Sequence, residues 1–196
     1  HQGIILNQRR PLFQDIKVRE ALTLAYNFEW ANRIYWHGGL ERNNSYFVRS
    51  PMEAKGLPSD GELKVLAPFK DQVPDRVFTH PLVLPKSNAY GRNRENLLRA
   101  DQVLRDAGWI VKDFRRINER TGEWMSIEFL VSRGDQERML VPYVDSLRHL
   151  GIKAVLKKVE STLLTNRKRT YDYDALVGQI YSFNLPYPSR MRNQFT

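Results

Sequence analysis

The last third of the chain alternates between two hydrophobic periods, and that alternation leaves few folds open. Residues 126–131 read as a strand, with Ile127, Phe129 and Val131 alternating with Glu128 and Leu130. Residues 135–150 read as a helix with Leu140, Val144 and Leu147 turned inward. Gly151 stops that helix, residues 152–159 form a second strand, Ser161 caps a short helix, and residues 173–180 form a third strand. Strand, helix, strand, helix, strand predicts parallel strands joined by crossovers, because parallel neighbours cannot be linked by a tight hairpin. Pro142 falls inside the long helix, where it removes a hydrogen bond or kinks the axis. The fold class is α/β.

The first half adds helices around this unit. Ile4-Ile5-Leu6-Asn7 reads as a short strand ended by Pro11. Asp15 is an N-cap for a helix whose Val18, Ala21, Leu22 and Ala25 share one face. A second helical piece runs through Phe28, Trp30, Ile34 and Trp36 and ends at Gly38-Gly39. Residues 41–57 are polar and read as a long loop, the kind that often carries function. A short helix fits 60–69, and the prolines of 71–92 predict an irregular connection. Asn93 opens another helix, with Leu97, Leu98, Ala100, Leu104 and Ala107 as its apolar stripe and Gly108 as its stop. Thr121-Gly122 is read as the turn between two strands, 109–117 and 124–131.

Composition narrows the function classes. The chain has 196 residues, 41% hydrophobic and 27% charged, a globular balance. Cysteine is absent, which excludes disulfides, zinc–thiolate sites and thiol nucleophiles. The net charge of +9 raises a nucleic-acid-binding module as one reading. The basic residues are dispersed, however, with no run of the length found in binding tails, and no nucleic-acid partner is expected. The first residues lack the basic region, apolar core and cleavage site of a signal peptide and have no initiator Met, as if the chain were entered in mid-domain.

No enzyme motif stands out. The four histidines are scattered, no pair has helical metal spacing, and there is no nucleophile elbow, Walker loop or dinucleotide fingerprint. A hydrolase reading rests only on scattered Ser, His and Asp, so no catalytic residue, metal ligand or cofactor is assigned. Asp172 and Asp174 read as a solubilising pair at a strand edge. Two aromatic clusters lie outside the expected core: Tyr46-Phe47 in the polar loop, and Tyr181-Ser182-Phe183-Asn184 with Tyr187 just past the third strand. Ligands of open α/β sheets bind beyond the carboxyl ends of the strands, where the second cluster falls. Its flat apolar rings beside amides and hydroxyls suit a peptide or other organic ligand; the other reading is a surface loop pinned by its aromatics.

Four separated segments resemble the family 5 solute-binding proteins of bacterial ABC transporters. They are Phe13-Gln14-Asp15-Ile16-Lys17-Val18-Arg19-Glu20-Ala21-Leu22, the stretch from Ala100 ending in Asp106-Ala107-Gly108-Trp109, Leu147-Arg148-His149-Leu150-Gly151-Ile152, and Tyr171-Asp172-Tyr173-Asp174. Asn7 to Phe13, Asn27-Phe28-Glu29-Trp30 and Ser45-Tyr46-Phe47 resemble the microcin C and oligopeptide binders within that family. The resemblance implies one lobe of a type II periplasmic-binding-protein fold, a mixed, mostly parallel sheet flanked by helices. Residues 1–196 would be a single α/β lobe, the C-terminal one, with the N-terminal lobe of the same protein missing. It further implies a periplasmic location, a peptide or modified-peptide ligand, delivery to permease subunits, and no covalent chemistry. By the same resemblance, Gln179, Ile180, Tyr181, Ser182 and Phe183 reach the ligand cleft; Asn184 of the aromatic cluster and Ser45, Tyr46 and Phe47 of the polar loop are further candidate contacts. Oligopeptide binders often carry a Trp near position 180 and an Asp near 183; this chain has Ile180 and Phe183, which points either to a ligand with a blocked amino end or to an amino-end anchor located elsewhere. Arg169, just before the strand, offers a fork for a ligand carboxylate or phosphate, or is a solvated surface arginine.

Overall fold

The computed structural model describes residues 2–179, which fall into two compact units, 41–84 and a larger one of 2–40 with 85–179. In the larger unit, β1 (Gln2–Leu6) leads into α1 (Pro11–Gln14) and α2 (Ile16–Ala25). Asp15 caps α2 as the sequence predicts, its carboxylate accepting from the Lys17 amide at 2.8 Å. Val18, Ala21, Leu22, Leu24 and Ala25 are buried. Helix α3 (Phe28–Trp36) ends one residue before the glycines, on His37 in the left-handed conformation. In the smaller unit, α4 (Asp60–Leu66) starts from a complete Ser59–Glu62 capping box, followed by a 3-10 turn at Ala67–Gln72 and the short α5 (Arg76–Thr79).

The chain then returns to the larger unit through α6 (Arg94–Asp106). Its buried stripe is Asn96, Ala100 and Leu104, while Leu98 is 63% exposed against expectation. At about 100° per residue, Leu98 stands roughly 160° around the helix from Ala100, so the α2-facing side cannot include it. Asn96 takes a core position because its amide donates to the Lys86 carbonyl at 2.9 Å and to Asn93 Oδ1 at 2.7 Å.

The expected strand over 109–117 is instead a hairpin of β2 (Trp109–Lys112) and β3 (Arg115–Asn118). Asp113 and Phe114 both have positive φ, +49° and +61°, the pattern of a two-residue primed turn without its usual Asn-Gly signal. The expected turn at Thr121-Gly122 is present as well. The hairpin is pinned by Arg116, which is fully buried. It donates to the Leu150 carbonyl at 2.9 Å and the Trp109 carbonyl at 3.1 Å, and its outer nitrogen pairs with Asp101 on α6.

The remaining elements follow the predicted grammar: β4 (Ser126–Val131), α7 (Gly134–His149), β5 (Lys153–Lys158), α8 (Ser161–Arg169) and β6 (Ala175–Gln179). Glu160, not Ser161, is the N-cap of α8, and no side chain caps it. The sheet order is β1-β6-β4-β5, with β4 parallel to both β5 and β6 and β1 antiparallel to β6. On one face, Ile127, Phe129, Val131, Ala175 and Val177 join the main core with α2 and α7. On the other, Leu130 and Leu176 pack with Val159, Tyr173 and Leu164 of α8. Asp172 and Asp174 do more than solubilise: both pair with Arg10, and Asp174 accepts the Glu128 amide at 3.0 Å, fastening the end of β1 to the sheet.

Candidate ligand-binding edge

The sheet places β5 on one side of β4 and β6 on the other, although β5 precedes β6 in the chain. This reversal makes a topological switch point between β4 and β6, and ligands of such sheets bind at the carboxyl ends there. The carboxyl edge presents Ser132 and Arg133 after β4, Lys158 at the end of β5, and Gln179 at the end of β6. The Ser132 amide donates to Gln136 Oε1 at 3.2 Å, holding the β4 exit against the first turn of α7. Arg133 lays its guanidinium on Asp135, with Nε 2.9 Å from Oδ1 and a second, shorter contact to Oδ2. The Arg133 hydrogen bond pulls the Asp135 carboxyl below its ordinary range. Lys158 Nζ lies 3.6 Å from Glu137, so the exits of β4 and β5 are bridged by charge. At Gly178, where β1 runs beside β6, a Cβ would stand 2.3 Å from Ile5 Cδ1, so a side chain there would have to displace the tip of Ile5.

Gln179 ends β6 and so stands on this edge. Arg169 does not share it. It is exposed at the end of α8, on the amino side of β6, and β6 alone spans about 13 Å. Its neighbour Arg167 is engaged, 3.0 Å from Glu128 and 3.2 Å from Asp172. In the smaller unit, Ser45, Tyr46 and Phe47 form one half-buried turn. Ser45 Oγ accepts the Ala54 amide at 3.1 Å, the two rings meet edge to face at 4.8 Å, and the Phe47 carbonyl accepts the Ser50 amide at 3.1 Å. Ile180, Tyr181, Ser182, Phe183 and Asn184 lie outside the described residues. Sequence reasoning missed Ser132, Arg133 and Lys158. The rule that points to the exit of the third strand, extended to the first, points to Ser132 and Arg133, and extended to the second, to Lys158.

Among the described residues there is no cluster of His, Asp or Glu able to hold a metal ion, and no helix is long and apolar enough to cross a membrane. The uncharacterized protein YejA of Escherichia coli is 39% identical over 186 residues, covering 95% of this chain and 30% of that protein. The probable peptide-binding protein YejA of Agrobacterium fabrum is 36% identical, covering 90% of this chain and 29% of its own length. The chain thus spans about 30% of the length of these curated relatives. Among solved structures, the oligopeptide-binding protein AppA of Bacillus subtilis, in complex with a nonapeptide, superposes with a TM-score of 0.64 at 23% identity, covering 95% of this chain and 32% of AppA. That likeness shows a shared periplasmic-binding-protein fold. The family model for the middle region of bacterial extracellular solute-binding proteins, family 5, matches residues 1–196, and the chain belongs to that family.

Proposed function

We propose that this chain is part of the C-terminal lobe of a two-lobed periplasmic protein that binds peptides or modified peptides and delivers them to the permease of an ABC importer. The observation that carries the reading is the family match over the whole chain, joined to a relative of 36% identity described as a probable peptide-binding protein. The sheet supports it: β6 ends at Gln179 on the carboxyl edge beside the switch point, where an extended ligand can meet both backbone and side chains. Arg133 and Lys158 join that edge as further contacts. Arg169, on the amino side of β6, is left out of it. The turn of Ser45, Tyr46 and Phe47 is a separate candidate contact, tested on its own by Tyr46→Ala.

The mechanism is binding without bond making, the second lobe supplying the remaining contacts by closing over the ligand. The test is calorimetric titration of the full-length protein with a mixed library of short peptides, beside the same titration of this chain. Saturable binding by the full-length protein, much weaker binding by the chain alone, and a loss of about tenfold for Gln179→Ala are expected. Absence of peptide binding by the full-length protein would sink the peptide assignment.

A further inference from the structure

A cavity of about 260 Å³ lies wholly within the larger unit, between the α2–α3 junction, the 91–93 segment and the later turns of α7. Its apolar lining includes Tyr26, Trp30, Leu97, Met139 and Tyr143. The Tyr26 and Tyr143 rings meet edge to face at 5.4 Å. Asp145 on its rim is about 16 Å along α7 from Gly134, so the cavity is separate from the carboxyl edge of the sheet.

The walls are rigidly built. Tyr143 donates its hydroxyl to the Leu22 carbonyl at 3.0 Å, and burial pushes that hydroxyl's pKa upward, so it stays a neutral donor. Asn93 donates to the Leu24 carbonyl at 2.9 Å, and Asn27 to the Gly91 carbonyl at 3.1 Å. Pro142 has no N–H, so the Arg138 carbonyl one turn earlier loses its helical partner. The Tyr35 hydroxyl of α3 donates to that carbonyl at 3.0 Å, joining the two helices that flank the cavity. Ser146 is turned back onto the Pro142 carbonyl at 2.9 Å.

With these polar groups committed, two opposite charges remain at the mouth. Among the described residues Arg92 forms no ion pair, and the one ion pair of the Asp145 carboxylate is with His149 Nδ1, at 3.7 Å. The two charges face the same opening without joining each other. A cation, an anion and an aromatic and thioether floor between them match a small zwitterion with an apolar tail. The volume falls below the roughly 300–1,000 Å³ of drug-sized sites, which restricts the occupant to one small molecule.

We propose that this cavity binds a free α-amino acid with an apolar side chain. Its carboxylate meets the Arg92 guanidinium, its ammonium meets Asp145, and its side chain lies against Tyr26, Trp30 and Met139. The site is independent of the peptide function proposed above, since no residue is shared between them. The test titrates the protein with L-phenylalanine, followed by calorimetry and tryptophan fluorescence, with N-acetyl-L-phenylalanine amide as the uncharged control. Saturable L-phenylalanine binding is expected. Arg92→Gln and Asp145→Asn each weaken it by about tenfold or more while circular dichroism is unchanged, because a charge-assisted hydrogen bond is lost at an exposed rim. The amide binds more weakly than the free amino acid by about tenfold or more. No saturable binding, unchanged affinity in both variants, or equal binding of the amide would each overturn the proposal.

Discussion

Arg116 is the side chain on which the hairpin's attachment depends, and Arg116→Met tests this directly. The guanidinium is fully buried and serves three acceptors: the Leu150 carbonyl that closes α7, the Trp109 carbonyl on β2, and Asp101 on α6. Methionine fills much of the volume but offers no donor, so the two carbonyls lose their side-chain partner. A buried polar group left unsatisfied costs about 1–3 kcal/mol, which puts the variant about 3 kcal/mol below the parent. Asp101 adds little to that sum, because it keeps Arg105 at 2.8 Å and retains 29% of its side-chain exposure. Urea unfolding followed by circular dichroism reads the change as a lower midpoint at constant slope. A double-mutant cycle with Asp101→Asn separates the pair: the double variant should be no more than about 0.5 kcal/mol worse than Arg116→Met alone. A loss below about 1 kcal/mol, or full additivity in the cycle, would refute the pinning role.

The same pair sets an acid limb. Burial pushes the Asp101 carboxyl upward, but the hydrogen bonds and charges of Arg116 and Arg105 outweigh it and hold the folded-state pKa below the ordinary value. Its contribution is therefore fully present above the unfolded Asp value near ~3.9 and is lost as pH falls toward the lower folded value. The parent protein should lose stability more steeply below about pH 4 than Asp101→Asn, by urea midpoint against pH. Two further substitutions probe the joints of the fold. Asn7 is buried and donates to the Tyr171 and Tyr173 carbonyls, each at 2.8 Å, while accepting from the Arg9 amide at 3.1 Å, so Asn7→Ala should cost about 2–3 kcal/mol in urea unfolding. Gly151 sits at φ +82°, and a Cβ there would stand only 2.9 Å from the Arg116 amide nitrogen, so Gly151→Ala should cost more than the roughly 1–2 kcal/mol of a left-handed alanine alone, read as a lower thermal midpoint.

The local structure of the larger unit was legible in the sequence. Asp15 and Gly151 mark helix boundaries through chemistry carried by single residues, and the apolar spacing of α2, β4 and α7 picks out the buried faces. These signals can be read because a cap or a stripe depends only on neighbours a few positions away. The family resemblance was legible for the same reason, as short motifs in the right order. The exit of β6 was legible as an edge, because strand ends follow from the pattern.

What depends on residues distant in the chain came from tertiary packing instead. β6 lies beside β4 rather than beyond β5, and β1 adds antiparallel to β6 after an excursion through nearly the whole chain. No local preference encodes that order; it follows from which faces the helices must cover. The Asp113-Phe114 turn holds two non-glycine residues at positive φ because Arg116 and the Gly151 carbonyl fix the next strand. Arg116 itself reads as an exposed cation in sequence and is buried in the fold, because its acceptors come from α6, β2 and the end of α7. The carboxylate and guanidinium at the mouth of the α3–α7 cavity are likewise ordinary surface charges in the sequence. Only the tertiary fold, with the 91–93 segment tied to Leu24 and Asn27 and α3 tied to α7, brings Arg92 and Asp145 to one opening.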